Sequence, residues 1–114
     1  MRLVIPNELP PVQAPHALMV NLAPLNQRGA PQWNDAVVVE VGADGTAEAQ
    51  VSRPGPYRVG FVVWERFEGR AAIHDLPAVE PRTITVDRSS ALQRYELLME
   101  ANAVDALRSI TAQD

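Results

Sequence analysis

The sequence contains no cysteine and no lysine. Without cysteine, it has no disulfide framework, no thiolate metal ligand and no cysteine nucleophile. Without lysine, it has no phosphate-binding P-loop, no Schiff-base chemistry and no crosslink between lysine and asparagine side chains. All ten basic residues are therefore arginines, and they are scattered along the chain rather than grouped in a basic stripe. Together with the net charge of −4, this pattern predicts no nucleic-acid partner.

Long apolar runs are missing as well. The apolar residues at 3–5 are too few for the core of a signal peptide, and no later segment is long enough to cross a bilayer. We therefore expect no membrane partner and a soluble, cytoplasmic protein. An extracellular or periplasmic location would apply if the sequence were a domain excised from a longer chain. The length of 114 residues is sufficient for one domain with one hydrophobic core.

What the sequence does contain is a series of short β-like segments separated by turn residues. The longest follows the proline-glycine turn at 54–56 and continues to Phe67. Its alternation predicts one face in the core and an opposite face outside it. The core face comprises Tyr57, Val59, Phe61, Val63 and Phe67, and the opposite face comprises Arg58, Gly60, Val62, Trp64 and Arg66.

Further strands are predicted at 16–23, 35–41, 46–52, 71–75 and 82–87. The Asp44-Gly45 pair favours a tight hairpin turn between two of them, 35–41 and 46–52. Short strands with turn signals between them indicate a mainly β protein, namely an antiparallel Ig-like β-sandwich of six to eight strands.

The ends of the chain differ from this central part. Residues 1–15 begin with a short β-like entry at 2–5 and are rich in proline, which predicts an extended N-terminal arm. Residues 16–88 form the predicted sandwich domain. In residues 89–114 the composition changes to good helix formers, so we expect a C-terminal helical segment packed on the sandwich.

Two interpretations of the C-terminal segment remain open. A capping box at 90–93, followed by apolar residues at spacings of three and four, predicts a helix from Ser90 to Thr111. Alternatively, residues 92–99 form a last strand with Tyr95, Leu97 and Met99 facing inward, followed by a short helix capped by Asn102. Both interpretations keep a helix over 103–110.

The choice between them decides the role of two apolar residues. On a long helix, Leu97 and Val104 lie off the main apolar stripe and are exposed to a partner helix or a symmetry mate. If 92–99 is a strand, Leu97 belongs to the core.

The succession of an Asp-Gly turn, a strand and a Pro-Gly-x-Tyr-x-Val segment resembles the carboxypeptidase regulatory-like, transthyretin-like sandwich family over residues 17–86. The resemblance implies a non-catalytic accessory or interaction module, often extracellular. The helical C-terminus and the missing export signal depart from that family. The histidines and the terminal Tyr-Arg-Gly-Ser of the transthyretin-like ureide hydrolases are not matched, so the resemblance does not imply their activity. The matching residues are Asp44, Gly45, Val51, Pro54, Gly55, Tyr57 and Val59.

No residue pattern predicts catalysis, cofactor binding or metal binding. The His74-Asp75 pair near Glu80, with His16 elsewhere, lacks a recognised ligand spacing. Ser89 and Ser90 are better explained as a helix cap than as nucleophiles, and Asp35 and Asp44 as turn residues. We therefore expect a protein that is not an enzyme and that has no cofactor and no metal site.

The opposite face of the long strand is the more informative pattern. Trp64 lies between Arg58 and Arg66, and these residue types are enriched in the hot spots of protein interfaces. Two structural alternatives remain: a bulge near Gly60 that turns Trp64 into the core, and a C-terminal helix that covers the face.

The leading hypothesis is a non-enzymatic protein-interaction or assembly module, with either an unidentified protein or a second copy of the chain as partner. The alternative is a carbohydrate-binding module that uses Trp33 and Trp64, because aromatic rings on a sandwich face stack on sugars. The candidate partner-binding residues are Arg58, Val62, Trp64, Arg66, Leu97 and Val104.

Overall fold

A computed structural model of the chain describes residues 1–51, 53–67, 69–76, 79–80, 82–87 and 93–111. In these residues the chain is mainly β, with one C-terminal α-helix and one 3-10 turn at Trp33–Asp35. The strands are β1 (Arg2–Val4), β2 (His16–Pro24), β3 (Val37–Glu40), β4 (Thr46–Glu48), β5 (Gly55–Phe67), β6 (Arg70–Asp75), β7 (Val79–Glu80), β8 (Thr83–Val86), β9 (Arg94–Glu96) and β10 (Leu98–Met99), and the helix is α1 (Ala101–Thr111).

The large sheet is built around β5. Its order is β3-β2-β5-β6, and β8 pairs with the first residues of β5 on the side that β6 occupies further along. All of these pairs are antiparallel. The β2–β5 register is continuous over residues 16–24 and 57–65, with Asn21 opposite Gly60 and Ala17 opposite Trp64. The alternative of a bulge near Gly60 is therefore wrong, and the predicted alternation of β5 is retained.

A smaller sheet has the order β4-β1-β9, and β10 pairs with β7 in a two-stranded sheet. The β1–β4 and β10–β7 pairs are antiparallel, whereas β1 and β9 are parallel. Parallel pairing requires a long connection, which is provided by the whole of the chain between these two strands.

The predicted hairpin between 35–41 and 46–52 is wrong, although its turn is present. Gly45 N–H donates to Gly42 O at 2.9 Å, and Gly42 N–H donates to Thr46 O at 2.8 Å. Beyond this turn the strands separate, because β3 pairs with β2 and β4 pairs with β1. The N–H of Ile5 donates to Gly45 O at 2.8 Å and continues the β1–β4 pairing up to the turn. The turn therefore joins the two sheets.

Two ionisable groups in these elements have shifted pKa values. The side-chain hydroxyl of Thr46 donates to Asp44 Oδ1 at 2.8 Å and its backbone N–H donates at 3.1 Å, and these bonds lower the pKa of Asp44. Burial, and after it the Asp87 carboxylate, raises the pKa of Tyr95. The Tyr95 hydroxyl donates to Thr85 O at 2.7 Å, so β9 is tied to β8.

One hydrophobic core lies between the large sheet, the smaller sheet and α1. The predicted core face of β5 is confirmed for Tyr57, Val59, Phe61 and Val63, whereas the side chain of Phe67 lies outside the described residues. Ala47, Ala49, Ile84 and Val86 are buried in the same core. The Tyr57 hydroxyl donates to Arg53 O at 2.6 Å, which satisfies the phenol. The largest fully buried side chains are Leu3, Leu22, Leu97, Met99, Leu107, Val20, Val63 and Val86.

The first five residues belong to this core rather than to a surface arm. Met1, Leu3 and Ile5 are each at most 5% exposed, and β1 is the central strand of the smaller sheet. The extended segment begins after them, and Asn7 fixes it, since its side chain accepts from Met99 N–H at 2.8 Å and donates to Met99 O at 3.0 Å.

The strand interpretation of the C-terminal segment is confirmed over the described residues, and the long helix from Ser90 is wrong. Leu97 and Met99 face inward, and α1 begins only at Ala101. Asn102 therefore lies in the first turn of the helix instead of capping it. The proposed capping box lies largely outside the described residues.

The helix packs on the core side of the molecule. Ala103 and Leu107 are fully buried in the same cluster as the inner face of the large sheet, and Val104 is half-buried against it. The alternative in which this helix covers the opposite face of β5 is therefore wrong. Leu97 is 0% exposed, so it belongs to the core and not to a partner surface. In the described parts of the chain, no helix has the length and apolar character that crossing a membrane requires.

Candidate functional site

The face of the large sheet that points away from the core, called the outer face below, carries most of the exposed large apolar side chains among the described residues. Among the described residues, the large hydrophobic side chains that are exposed are Trp33, Val38, Ile73 and Leu98. Val38 and Ile73 lie on the outer face by their strand register, and Trp33 lies against Gly60 on the same face. Clustering of exposed apolar groups on one face is typical of an interaction surface.

Strand register arranges the outer face in rows of direct neighbours. Ala17, Trp64 and Ile73 form one row, because Ala17 pairs with Trp64 and Trp64 pairs with Ile73. The next row along β5 contains Glu40, Met19, Val62 and Asp75, and the one after it contains Val38, Asn21 and Gly60.

A small depression, the outer-face hollow, lies beside the first row. It has a volume of about 250 Å³, and its apolar lining includes Ala17, Met19 and Trp64. Glu40 and Arg66 stand at its edge, and neither side chain has a hydrogen-bond or ion-pair partner in the described part of the chain. Ile73 projects on the other side of Trp64 and is 65% exposed. The outer face therefore presents a protruding apolar side chain next to an apolar hollow.

A larger depression, the outer-face pocket, lies further along β5 and has a volume of about 650 Å³. Asn21, Gly60 and Val62 form its base, and the ring of Trp33 forms one wall. A methyl group at Gly60 would already be in van der Waals contact with the edge of the Trp33 ring, at 3.5 Å, so the ring lies close to the backbone of β5. The depression is broadly open to solvent.

Some polar side chains of the pocket have hydrogen-bond partners among the described residues, and others do not. Arg58 Nε donates to Thr83 Oγ1 at 3.3 Å, whereas the Arg82 guanidinium has no partner among the described residues. Asn21 Oδ1 is buried and accepts no hydrogen bond from the described residues. Asp75 is the single acidic residue in the described lining, which also includes Arg58 and Arg82.

Four of the six residues predicted to bind a partner share the outer face. Arg66 is exposed, Arg58 and Trp64 are half-buried, and Val62 is 6% exposed at the base of the pocket. Leu97 and Val104 lie on the core side and do not join them.

Three residues of this surface were not predicted from the sequence, namely Asn21, Ile73, and Trp33 as a wall of the pocket. Asn21 is a polar residue at an alternating position in an otherwise apolar strand, which is a signal that the sequence does carry. The positions of Ile73 and Trp33 depend on strand register and on a loop, so no local pattern indicates them.

The two histidines come together on the inner face, at the end of the core, through a residue that was not singled out. Glu65 Oε2 lies 2.7 Å from His74 Nε2 and 3.5 Å from His16 Nε2. The side chain of His16 is 3% exposed, and its Nε2 lies outside hydrogen-bonding geometry. Asp75 points to the outer face, so the pair His74-Asp75 forms no common site.

The described residues contain no group of three or more histidine, aspartate or glutamate side chains arranged to hold a metal ion. Glu65 of β5 instead contacts the imidazole of His16 at the start of β2 and that of His74 on β6, so these contacts link the three strands.

No protein-family model, curated protein or solved structure matches this chain.

Proposed function

We propose that the chain is a non-enzymatic assembly module that binds a second copy of itself through the outer face. The observation that carries this proposal is the position of Ile73 beside the outer-face hollow. A side chain that is 65% exposed and an apolar hollow of about 250 Å³ lie on one sheet face, separated by Trp64. Burial of exposed apolar area is the main driving force for association.

The arrangement suits a twofold interface. Ala17, Trp64 and Ile73 lie in one row across three strands. A twofold axis in the plane of the interface, parallel to β5 and above Trp64, exchanges the two ends of this row. It brings Ile73 of each copy over Ala17 at the hollow of the other copy. The same contact is then made twice, as in the isologous interfaces of most homodimers.

The edge of the hollow fits the usual composition of an interface rim. Glu40 and Arg66 are exposed charged side chains without partners among the described residues, so they are free to pair across an interface or to remain hydrated. Trp64 is half-buried at the centre of the row, where hot-spot residues are most often found.

Replacing Ile73 with serine is expected to weaken self-association by about tenfold or more, because it removes the apolar side chain that enters the hollow. Sedimentation velocity from about 1 μM to about 1 mM protein measures the dissociation constant of each variant. The matched control is Leu98→Ser, because Leu98 is 49% exposed and is not on the outer face.

Leu98→Ser is expected to associate as the unchanged protein does. A monomer at every concentration would overturn the homodimer. Equal effects of the two substitutions would show that association does not use the outer face. Circular dichroism of each variant verifies that the fold is intact.

For the architecture, we propose an Ig-like or transthyretin-like sandwich. Two features support this relation: the tight turn at Asp44-Gly45 that joins the sheets, and the hydrogen bond from the Tyr57 hydroxyl to Arg53 O, which is similar to the tyrosine corner of such sandwiches. The parallel β1–β9 pair is a departure from their antiparallel pattern.

The second candidate function is carbohydrate binding, and the observation that favours it is the position of Trp33. Its ring is 49% exposed and forms a wall of a pocket that also contains Asn21 and two arginines. A titration with neutral oligosaccharides, followed by tryptophan fluorescence, should then give a saturable change that is lost in Trp33→Ala. No response to any neutral glycan would remove this candidate.

A further inference from the structure

We propose that the free edge of β6 pairs with the same edge of a second copy, in antiparallel orientation about a twofold axis at Ile73. This contact is separate from the one proposed above, because it joins the rims of two sheets rather than their outer faces. Two observations carry it: the backbone groups that β6 leaves unpaired, and the charges that lie on either side of them.

The outer edge of β6 carries unpaired backbone groups. In the large sheet, β6 pairs with β5 on one side and with no described strand on the other. The N–H of Leu76 donates to Phe61 O at 3.1 Å, so every second residue from there back along β6 bonds to β5. The residues between them point their N–H and C=O groups away from the sheet, where no described residue bonds to them. These residues are Ala71, Ile73 and Asp75.

The edge of β6 lacks the features that usually prevent pairing with another chain. Native sheets protect their edges with proline, lysine, bulges or a covering segment. The strand β6 contains no proline and no lysine, and its register with β5 is continuous. Residues 71–73 and 75 are exposed. A strand added at such an edge gains main-chain hydrogen bonds at once.

The positions of the unpaired groups select one register. Bonded residues of an antiparallel pair lie directly opposite each other, so each outward residue must meet an outward residue of the partner. With Ile73 at the axis, Ala71 lies opposite the partner's Asp75, and all three outward residues of each copy are paired. The next permitted register in either direction leaves one outward residue of each copy beyond the end of the partner's strand.

Charge complementarity supports the same register. Arg66 lies beside Ala71 in one row of the outer face, and the pairing extends this row to the partner's Asp75. Only the small side chain of Ala71 then separates the two charges, across about two strand spacings, which an arginine side chain can span. Arg66 and Asp75 are both exposed, and neither side chain has a partner among the described residues. The twofold axis brings these opposite charges together twice.

The edge contact leaves the outer face open. A twofold axis between paired antiparallel strands stands perpendicular to the sheet, so both outer faces lie on the same side of one continuous sheet. The Ile73 side chains stay on that face and can still enter the hollow of a further copy. Either contact alone gives a dimer, whereas both together give a tetramer or a longer assembly.

The first test is disulfide crosslinking, which is specific because the chain has no cysteine of its own. In the proposed register the two Cα atoms at position 73 lie about 5.5 Å apart, within the range that a disulfide bridges. Ile73→Cys should therefore oxidise to a covalent dimer on a gel run without reductant. The outer-face contact alone does not produce this dimer, because it places the two positions on opposite sides of its axis, about 10 Å or more apart.

The matched control for crosslinking is Val38→Cys. Val38 is 40% exposed on the same face, and its backbone points outward at the opposite edge of the sheet, on β3. This variant should stay monomeric under the same conditions. Absence of a covalent dimer for Ile73→Cys, or equal yields for the two variants, would overturn the edge contact.

The second test is charge reversal in the Ile73→Ser variant, in which the outer-face contact is already weakened. We expect residual association in this variant, measured by sedimentation up to about 1 mM protein. Arg66→Glu and Asp75→Arg should each weaken it about tenfold, because each turns two exposed ion pairs into two like-charge contacts. The double variant Arg66→Glu/Asp75→Arg keeps the net charge and should restore the association.

The outcomes separate the two contacts between copies. Association that Ile73→Ser abolishes completely would support the outer-face contact alone and overturn the edge contact. Failure of the double variant to restore association would also overturn the edge contact. Association that Ile73→Ser leaves unchanged, but that responds to the charge pair, would support the edge contact alone and overturn the outer-face contact.

Discussion

Replacing Leu97 with alanine is expected to lower the free energy of unfolding by about 2–5 kcal/mol, the usual range for deletion of a large core side chain. Leu97 is 0% exposed and lies in the core cluster between β9 and β10. Truncation leaves a cavity, because the surrounding side chains come from both sheets and from α1 and cannot all move inward together.

Urea denaturation followed by circular dichroism measures this change. The adjacent Leu98 is the matched control: it is 49% exposed, and Leu98→Ala should change the stability by less than about 1 kcal/mol. A stable Leu97→Ala variant with weakened self-association would contradict the structure and would restore the long helix that exposes this residue.

Replacing Leu3 with alanine is expected to be similarly destabilising, by about 2–5 kcal/mol. Leu3 is 1% exposed on β1, where it pairs with Ala47 of β4 and with Tyr95 of β9. The substitution therefore removes packing at the centre of the smaller sheet. If residues 1–15 were a surface arm throughout, the same substitution would have little effect.

The neighbouring Arg2 provides the comparison. Its ion pair with Glu48 has an Nε–Oε1 distance of 3.0 Å, but the two side chains are 62% and 68% exposed. Exposed ion pairs contribute about 0–1 kcal/mol, so Arg2→Ala should be nearly neutral. Equal losses for Leu3→Ala and Arg2→Ala in thermal or urea unfolding would show that the effect is not due to core packing.

Most strands could be predicted from the sequence, because each depends on local alternation. The faces of β5 and β8 follow from residue types two positions apart, which is the pattern of a sheet with one face in the core. Pairing partners could not be predicted in the same way. The Asp44-Gly45 turn indicates a reversal of the chain, but it does not decide whether the strand after it pairs with the strand before it or with β1.

The candidate site was predictable to the extent that it lies on β5. Arg58, Val62, Trp64 and Arg66 share a face because of alternation along one strand. The hollow, the pocket and the position of Ile73 depend on the registers of β2, β3 and β6 against β5, which are set by tertiary packing. The helical spacing at 92–110 was misleading, because residues 95, 97 and 99 also satisfy the period of a strand.

The parallel pair of β1 and β9 also affects the order of folding. Arg2 lies opposite Arg94, so the smaller sheet closes a loop that contains all the strands from β2 to β8. Closure of a long loop is entropically costly, and folds dominated by such contacts fold slowly. During synthesis, β1 leaves the ribosome first but gains its second neighbour only when β9 follows, whereas β2 and β5 can already pair. The large sheet is therefore expected to form before the smaller one closes the core.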